Sequence, residues 1–98
     1  MLVKIHKSYR QVVAICDSEL LGKYFEQGQR ILDVKESFFS GEEKDEKETI
    51  DIMKDMARED ATFNIIGKES CNAGLKAGII GKEGVIKVQG IPFALVLL

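Results

Sequence analysis

Over residues 2–7, LVKIHK, apolar and polar side chains largely alternate, with Val3 and Ile5 on one side and Lys4 and His6 on the other. That period of two predicts a half-buried strand. Ser8-Tyr9-Arg10 reads as a turn, and residues 11–16, QVVAIC, are apolar after Gln11 and rich in β-branched side chains. They predict a second, more deeply buried strand, joined to the first as a hairpin. Asp17 or Ser18 can cap a short helical turn before Lys23. Residues 30–34 suggest a third strand, and Ser37 to Gly41 a loop anchored by the pair Phe38-Phe39.

The period becomes helical over residues 45–59. Ile50, Met53 and Ala57 share a face that Ile52 and Met56 widen, and Asp45 with Glu48 three residues on has the form of a capping box. Residues 61–66 read as a buried strand ending at Gly67. Residues 68–77 suit a second helix with Cys71 and Leu75 facing inward and Gly78 as its stop. A glycine-rich turn over 78–84 leads to a strand at 85–89, a break at Gly90-Ile91-Pro92, and a final apolar strand at 93–98. The elements predict one α+β domain over 1–98, a mixed sheet of four to six strands with two helices on one face.

Composition narrows the functional classes. The chain has 98 residues, 45% of them hydrophobic and 31% charged, which is the make-up of a globular domain. The N-terminus lacks the apolar run of a signal peptide, and the most apolar segment, 91–98, is far shorter than the roughly 20 residues a membrane helix needs. Two cysteines, Cys16 and Cys71, stand far apart, and His6 is the lone histidine. Two free thiols fit a reducing cytoplasm, and no Cys or His spacing suits zinc. Neither a metal nor a cofactor is expected.

Charge is unevenly spread. Residues 36–60 carry ten acidic and four basic side chains, while the flanking thirds are mildly basic. An acidic helix over 45–60 could serve as an adaptor for a basic protein partner. Lys4, Lys7, Tyr9, Arg10 and Lys23 could instead gather at one end of the N-terminal hairpin, where cations neutralise phosphate and an aromatic ring stacks on a base.

Motifs with catalytic meaning are weak. Gly67-Lys68 and Gly81-Lys82 are each followed by Glu, where a phosphate-cradling loop needs Ser or Thr. Gly67 can still present the first amides of a helix at Lys68 to an anion. Gly81-Lys82-Glu83-Gly84 spells the RNA-clamping GXXG loop, but a strand follows where that loop needs a helix. Cys16 and His6 on neighbouring strands lack a third orienting group. Asn64 interrupts an apolar run and, if buried, needs a hydrogen-bond partner.

The run CDSELLGKYFEQG from Cys16 to Gly28, then ILDVKESFFSGE, FNIIGKES and VIKVQGIPFALVLL, resembles the archaeal family called domain of unknown function 424. The likeness covers nearly the whole chain. It implies a small cytoplasmic α/β protein linked to RNA or translation, and no established reaction. The expected role is a non-catalytic RNA- or ribonucleoprotein-associated binding module, with a small-ligand-binding protein or an enzyme as the remaining alternative. The matching blocks mark Asp17, Gly22, Lys23, Asn64 and Gly67. With Lys4, Lys7, Arg10 and Lys68 these are the candidate binding residues.

Overall fold

The computed structural model describes residues 1–97. Two central strands explain the rest of the architecture. Strand β2 (Val12–Cys16) turns Val13 and Ile15 to one side and Ala14 and Cys16 to the other, all four buried. A strand packed on both faces has no polar face to show, so its sequence does not alternate. It pairs antiparallel with β1 (Leu2–His6), as the hairpin reading predicts. On its other side it pairs parallel with the strand at Thr62–Ile66. A parallel neighbour requires a long crossover, and residues 17–61 supply it.

That crossover builds both faces of the sheet. It begins with a 3-10 turn, Ser18–Leu20, and a two-stranded hairpin of β3 (Tyr24–Gln27) and β4 (Arg30–Asp33). A four-residue helix α1 (Glu36–Phe39) and a two-residue edge strand β5 (Glu42–Glu43) follow. Helix α2 (Glu46–Arg58) then opens on the expected capping box. The Asp45 carboxylate accepts from Glu48 N at 2.8 Å, and Glu48 Oε1 accepts from Asp45 N at 3.2 Å. The chain continues through β6 (Thr62–Ile66), α3 (Lys68–Ala77), β7 (Ile86–Val88) and β8 (Ile91–Val96). The main sheet has the order β5-β1-β2-β6-β8-β7.

Helices α2 and α3 lie together on one face, as expected, over a core of Val13, Ile15, Met53, Phe63, Ile65 and Cys71. The opposite face is not bare. The β3–β4 hairpin and α1 cover part of it through Leu20, Leu32, Val34 and Phe39, against Ala14, Cys16 and Ile66. Three expectations are corrected. Residues 37–41 are not simply a loop, because Glu36–Phe39 close a helical turn on the sheet. Gly90-Ile91-Pro92 is no break, since β8 starts at Ile91. Pro92 keeps its carbonyl for Gly67 N, at 2.8 Å, and its missing N–H falls beyond the end of β6. The ribbon at Tyr24–Asp33 has two strands where one was expected.

One contact ties the sheet to α3. Asp17, 2% exposed, follows the last residue of β2, and its backbone N donates to Ile66 O at 3.0 Å. Its carboxylate takes the first free amides of α3, Ser70 N at 2.8 Å and Glu69 N at 3.1 Å, and also the Ser70 hydroxyl at 2.7 Å. The cap of this helix therefore comes from another strand. Gly67 sits at φ +114°, and a β-carbon there would run into the Asp17 carboxyl group.

Replacing Asp17 by Ala strands two amides and a hydroxyl, and urea denaturation should show a loss of about 2–3 kcal/mol. Gly67→Ala should cost at least about 2 kcal/mol through backbone strain and the Asp17 clash. The double variant should lose less than the sum, because the clash partner is gone. Strict additivity would show that the two positions act independently.

Candidate functional site

The partial cover on the second face leaves a cleft of about 440 Å³. Its floor is Asn64 and Ile66 of β6 with Phe93 and Leu95 of β8, and its walls are Ile31–Asp33 of β4 and Ser37–Phe39 of α1. The α1 wall is held to β1. The His6 ring stacks on Phe38, centroids 4.5 Å apart, and the Phe38 carbonyl accepts from His6 Nε2 at 2.8 Å. Lys4 Nζ donates to Ser37 O at 3.3 Å. The lining is mostly apolar, and the rim charges Lys35 and Asp33 face each other at 4.0 Å.

Asn64 is the polar feature of the floor. It is half-buried and, among the described residues, its carboxamide has no hydrogen-bond partner. Half-buried, it stays open to water, so the partner that full burial would require is not needed. An apolar cleft with a few unengaged polar groups is the usual form of a binding site. The chain also signalled two wall elements in part, through the Phe38-Phe39 pair and the RILDV segment. Leu95 gave no distinguishing signal within its apolar run.

The other predicted residues separate into two groups. Asp17, Gly22, Lys23, Gly67 and Lys68 gather around the C-terminal ends of the parallel pair β2–β6. There the chain leaves β2 for one face and β6 for the other, the topological position where open α/β sheets bind ligands. The seat for an anion at α3 is filled by Asp17 itself. Gly22, at φ +82°, donates its N–H to Val34 O at 2.7 Å and closes the base of the β3–β4 hairpin. Carboxylate oxygens of Asp17, Glu19 and Glu69 lie within 4.8 Å of one another, so this corner is acidic beside Lys68. Exposed acidic clusters are common without an ion.

Lys7 and Arg10 sit at the turn of the β1–β2 hairpin, the far end of the sheet, with Lys4 part way along β1. The fold therefore separates Lys23, beyond the far end of β2, from Lys7, Tyr9 and Arg10, and the five residues expected at one end of the hairpin do not gather there. The acidic helix is largely engaged within the chain. Lys76 reaches Glu46 at 3.0 Å, Lys47 reaches Asp51 at 3.4 Å, Arg58 reaches Asp55 at 2.8 Å, and Asp45 and Glu48 form the cap.

Cys16 and Cys71 are buried on opposite faces of the sheet. His6 lies opposite Val12, whereas Cys16 lies opposite Leu2, so thiol and imidazole stand at opposite ends of the strand pair. Burial, and then the negative charge of Asp17, push both thiols up from the ordinary 9.0 to about 11. Thiolate absorbance in the folded protein should therefore appear only as pH passes about 11, and in the unfolded chain near 9.0. Alkylation at neutral pH should be slow until the protein unfolds. Rapid labelling of the folded protein would contradict the burial.

Among the described residues, no helix is long and apolar enough to cross a membrane. No curated protein is significantly similar to the chain. Among solved structures, it is similar to an uncharacterized conserved protein from Methanopyrus kandleri, with a TM-score of 0.85 and 24% sequence identity over 98% of this chain and 90% of that one. At that identity the likeness establishes the fold. The sequence profile of the protein family of unknown function DUF424 matches residues 6–98, and the chain belongs to that family.

Proposed function

We propose that this protein is a non-catalytic protein-interaction module that takes an uncharged, extended segment of a partner along β8, with an apolar side chain entering the adjoining cleft. The observation that carries this is an unpaired backbone beside the cleft. The Pro92 carbonyl points to β6, where it accepts from Gly67 N. Backbone groups alternate in direction along a strand, so Ala94 and Val96 also turn toward β6, while Ile91, Phe93 and Leu95 turn the other way. On that side β7 pairs with β8 only as far as Phe93, opposite Ile86. Among the described residues no strand lies opposite Leu95 there.

An open edge of this kind accepts an added strand by main-chain hydrogen bonding, and neighbouring pockets supply side-chain selectivity. A residue added opposite Leu95 shares its face and lies at the mouth of the cleft. The edge segment 93–97 carries no charge, which selects an uncharged partner. The contrary design is visible at the other edge, where Glu42, Glu43 and Lys44 stand beside β1.

A second reading rests on Tyr9, which is fully exposed at the β1–β2 turn between Lys7 and Arg10. A free ring flanked by cations is the element that stacks a single-stranded base. This is where the RNA or ribonucleoprotein role, and the link to translation implied by the family resemblance, would act. Glu59 and Asp60 border the same depression and oppose phosphate there.

Selection from a displayed random peptide library should enrich uncharged, apolar-rich sequences. Their affinity should fall at least about tenfold on Leu95→Lys, with the melting temperature unchanged. In hydrogen exchange the Leu95 amide should exchange fast beside slow Ala94 and Val96, and added peptide should protect it. A library that enriches nothing, or a protected Leu95 amide in the dilute free protein, overturns the edge reading. For the second reading, titration with single-stranded RNA should show salt-sensitive binding that weakens about tenfold on Tyr9→Ala. Binding indifferent to salt and to Tyr9 would remove it.

A further inference from the structure

We infer that the segment fitting this edge is β8 of a second copy of the same chain, giving a closed two-fold dimer. The inference rests on the reading of β8 as a docking edge and names its occupant. The outward groups of Phe93 are already used by Ile86, so an arriving antiparallel strand has Leu95 and Leu97 to pair with. One self-pairing both avoids β7 and engages the two free leucines. It sets Leu95 opposite Leu97 of the second copy, and Leu97 opposite Leu95 of the second copy, with the two-fold axis at Val96. Each of these leucines can then exchange both backbone groups with its opposite number.

Three features favour self-pairing over a foreign strand. The first is charge. Antiparallel self-pairing places a segment against itself, so any charge near the axis would meet its own sign; Phe93 to Leu97 has none. The second is exposed apolar surface. Leu95 is 56% exposed and Leu97 72%, and alternation puts both on the cleft side of the sheet. Ile31 of β4, 56% exposed, forms part of the cleft wall beside them. Two-fold pairing joins the leucines of both copies into one apolar layer at the cleft mouths.

The third is closure. The opposite edge of the sheet is β5, two glutamates long, with Lys44 beside it. Neither it nor the outer edge of β7, three residues long with Lys87 at its centre so that self-pairing sets lysine against lysine, offers a second self-complementary strand, and pairing stops at two copies instead of continuing into a fibre. Two leucine pairs make a contact of the weak, transient class that falls below roughly 1,200 Å², so the dimer is concentration-dependent, with a midpoint between about 1 µM and about 1 mM.

Sedimentation equilibrium of the whole chain from about 1 µM to about 1 mM tests this directly, because it spans that midpoint. Wild type should pass from monomer to dimer and no further. Leu95→Lys and Leu97→Lys should each move the midpoint upward at least tenfold, with unchanged circular dichroism and melting temperature. Ile5→Lys, on the exposed part of β1, should leave it where it is. Raising the concentration should also slow exchange of the Leu95 amide. A monomer throughout the range overturns the dimer, as does self-association indifferent to Leu95 and Leu97. If such a monomer still binds selected peptides through Leu95, the docking-edge reading stands and only the second copy is refuted. If it binds none, both fall.

Discussion

A single carboxylate holds the two sides of this molecule in register. Asp17 directly follows β2, and its oxygens satisfy the first amides of α3 from outside that helix. A buried charge is tolerable only when its hydrogen-bonding capacity is used and a complementary field surrounds it. Three donors and the positive end of a helix meet both conditions. Gly67 is the steric counterpart of the same contact, because the carboxylate occupies the space a side chain there would need. The join fixes where α3 begins, and its charge also bears on both cysteine thiols.

From that corner the chain departs in opposite directions. β6 passes into α3 on one face, and β2 passes into the β3–β4 hairpin on the other. The two layers are unequal. α2 and α3 together roof the core of the first face. The second layer consists of a ribbon and one helical turn, which cover Cys16, Ile66 and their row but leave Asn64 and Leu95 as the floor of a cleft. The same economy of length leaves β7 three residues long, and the edge of β8 is open beyond Phe93 as a result. Cleft and open edge are thus two consequences of short covering elements on a longer central strand.

The sheet treats the β1 flank and the stretch of β8 beyond β7 differently. At β1, acidic β5 and the side chains of Lys4 and His6, bonded to the α1 backbone, occupy the flank. At β8 the exposed side chains are leucines. Charge at an edge is a common safeguard against unwanted strand pairing. Its presence on one side and absence on the other give the sheet a direction in which it can accept a strand.

Much of the fold is legible residue by residue, because its signals are local. The unbroken apolar run of β2, the helical stripe of α2 with its Asp45–Glu48 cap, and Gly78 in the left-handed conformation after α3 each lie within one short window. β3, β5 and α1 lack such a signal for the same reason. They are short, mostly exposed, and stabilised by what they lie on, so their own sequences carry little periodicity. The site depends on distance in the chain. Asp17 and Ser70 are 53 positions apart, and neither announces the other. Asn64 reads as a polar residue that burial would oblige to bond, and only the incomplete roof above it leaves it free in a cleft. Lys7 and Lys23, both basic and near each other in sequence, lie toward opposite ends of β2, because the strand between them runs the length of the sheet. Local patterning specifies which segments are strands and helices, because backbone propensity and amphipathic period act over a few residues. Which side chains meet, and which edge stays open, follows from strand order and relative element length, which come into being when distant segments pack.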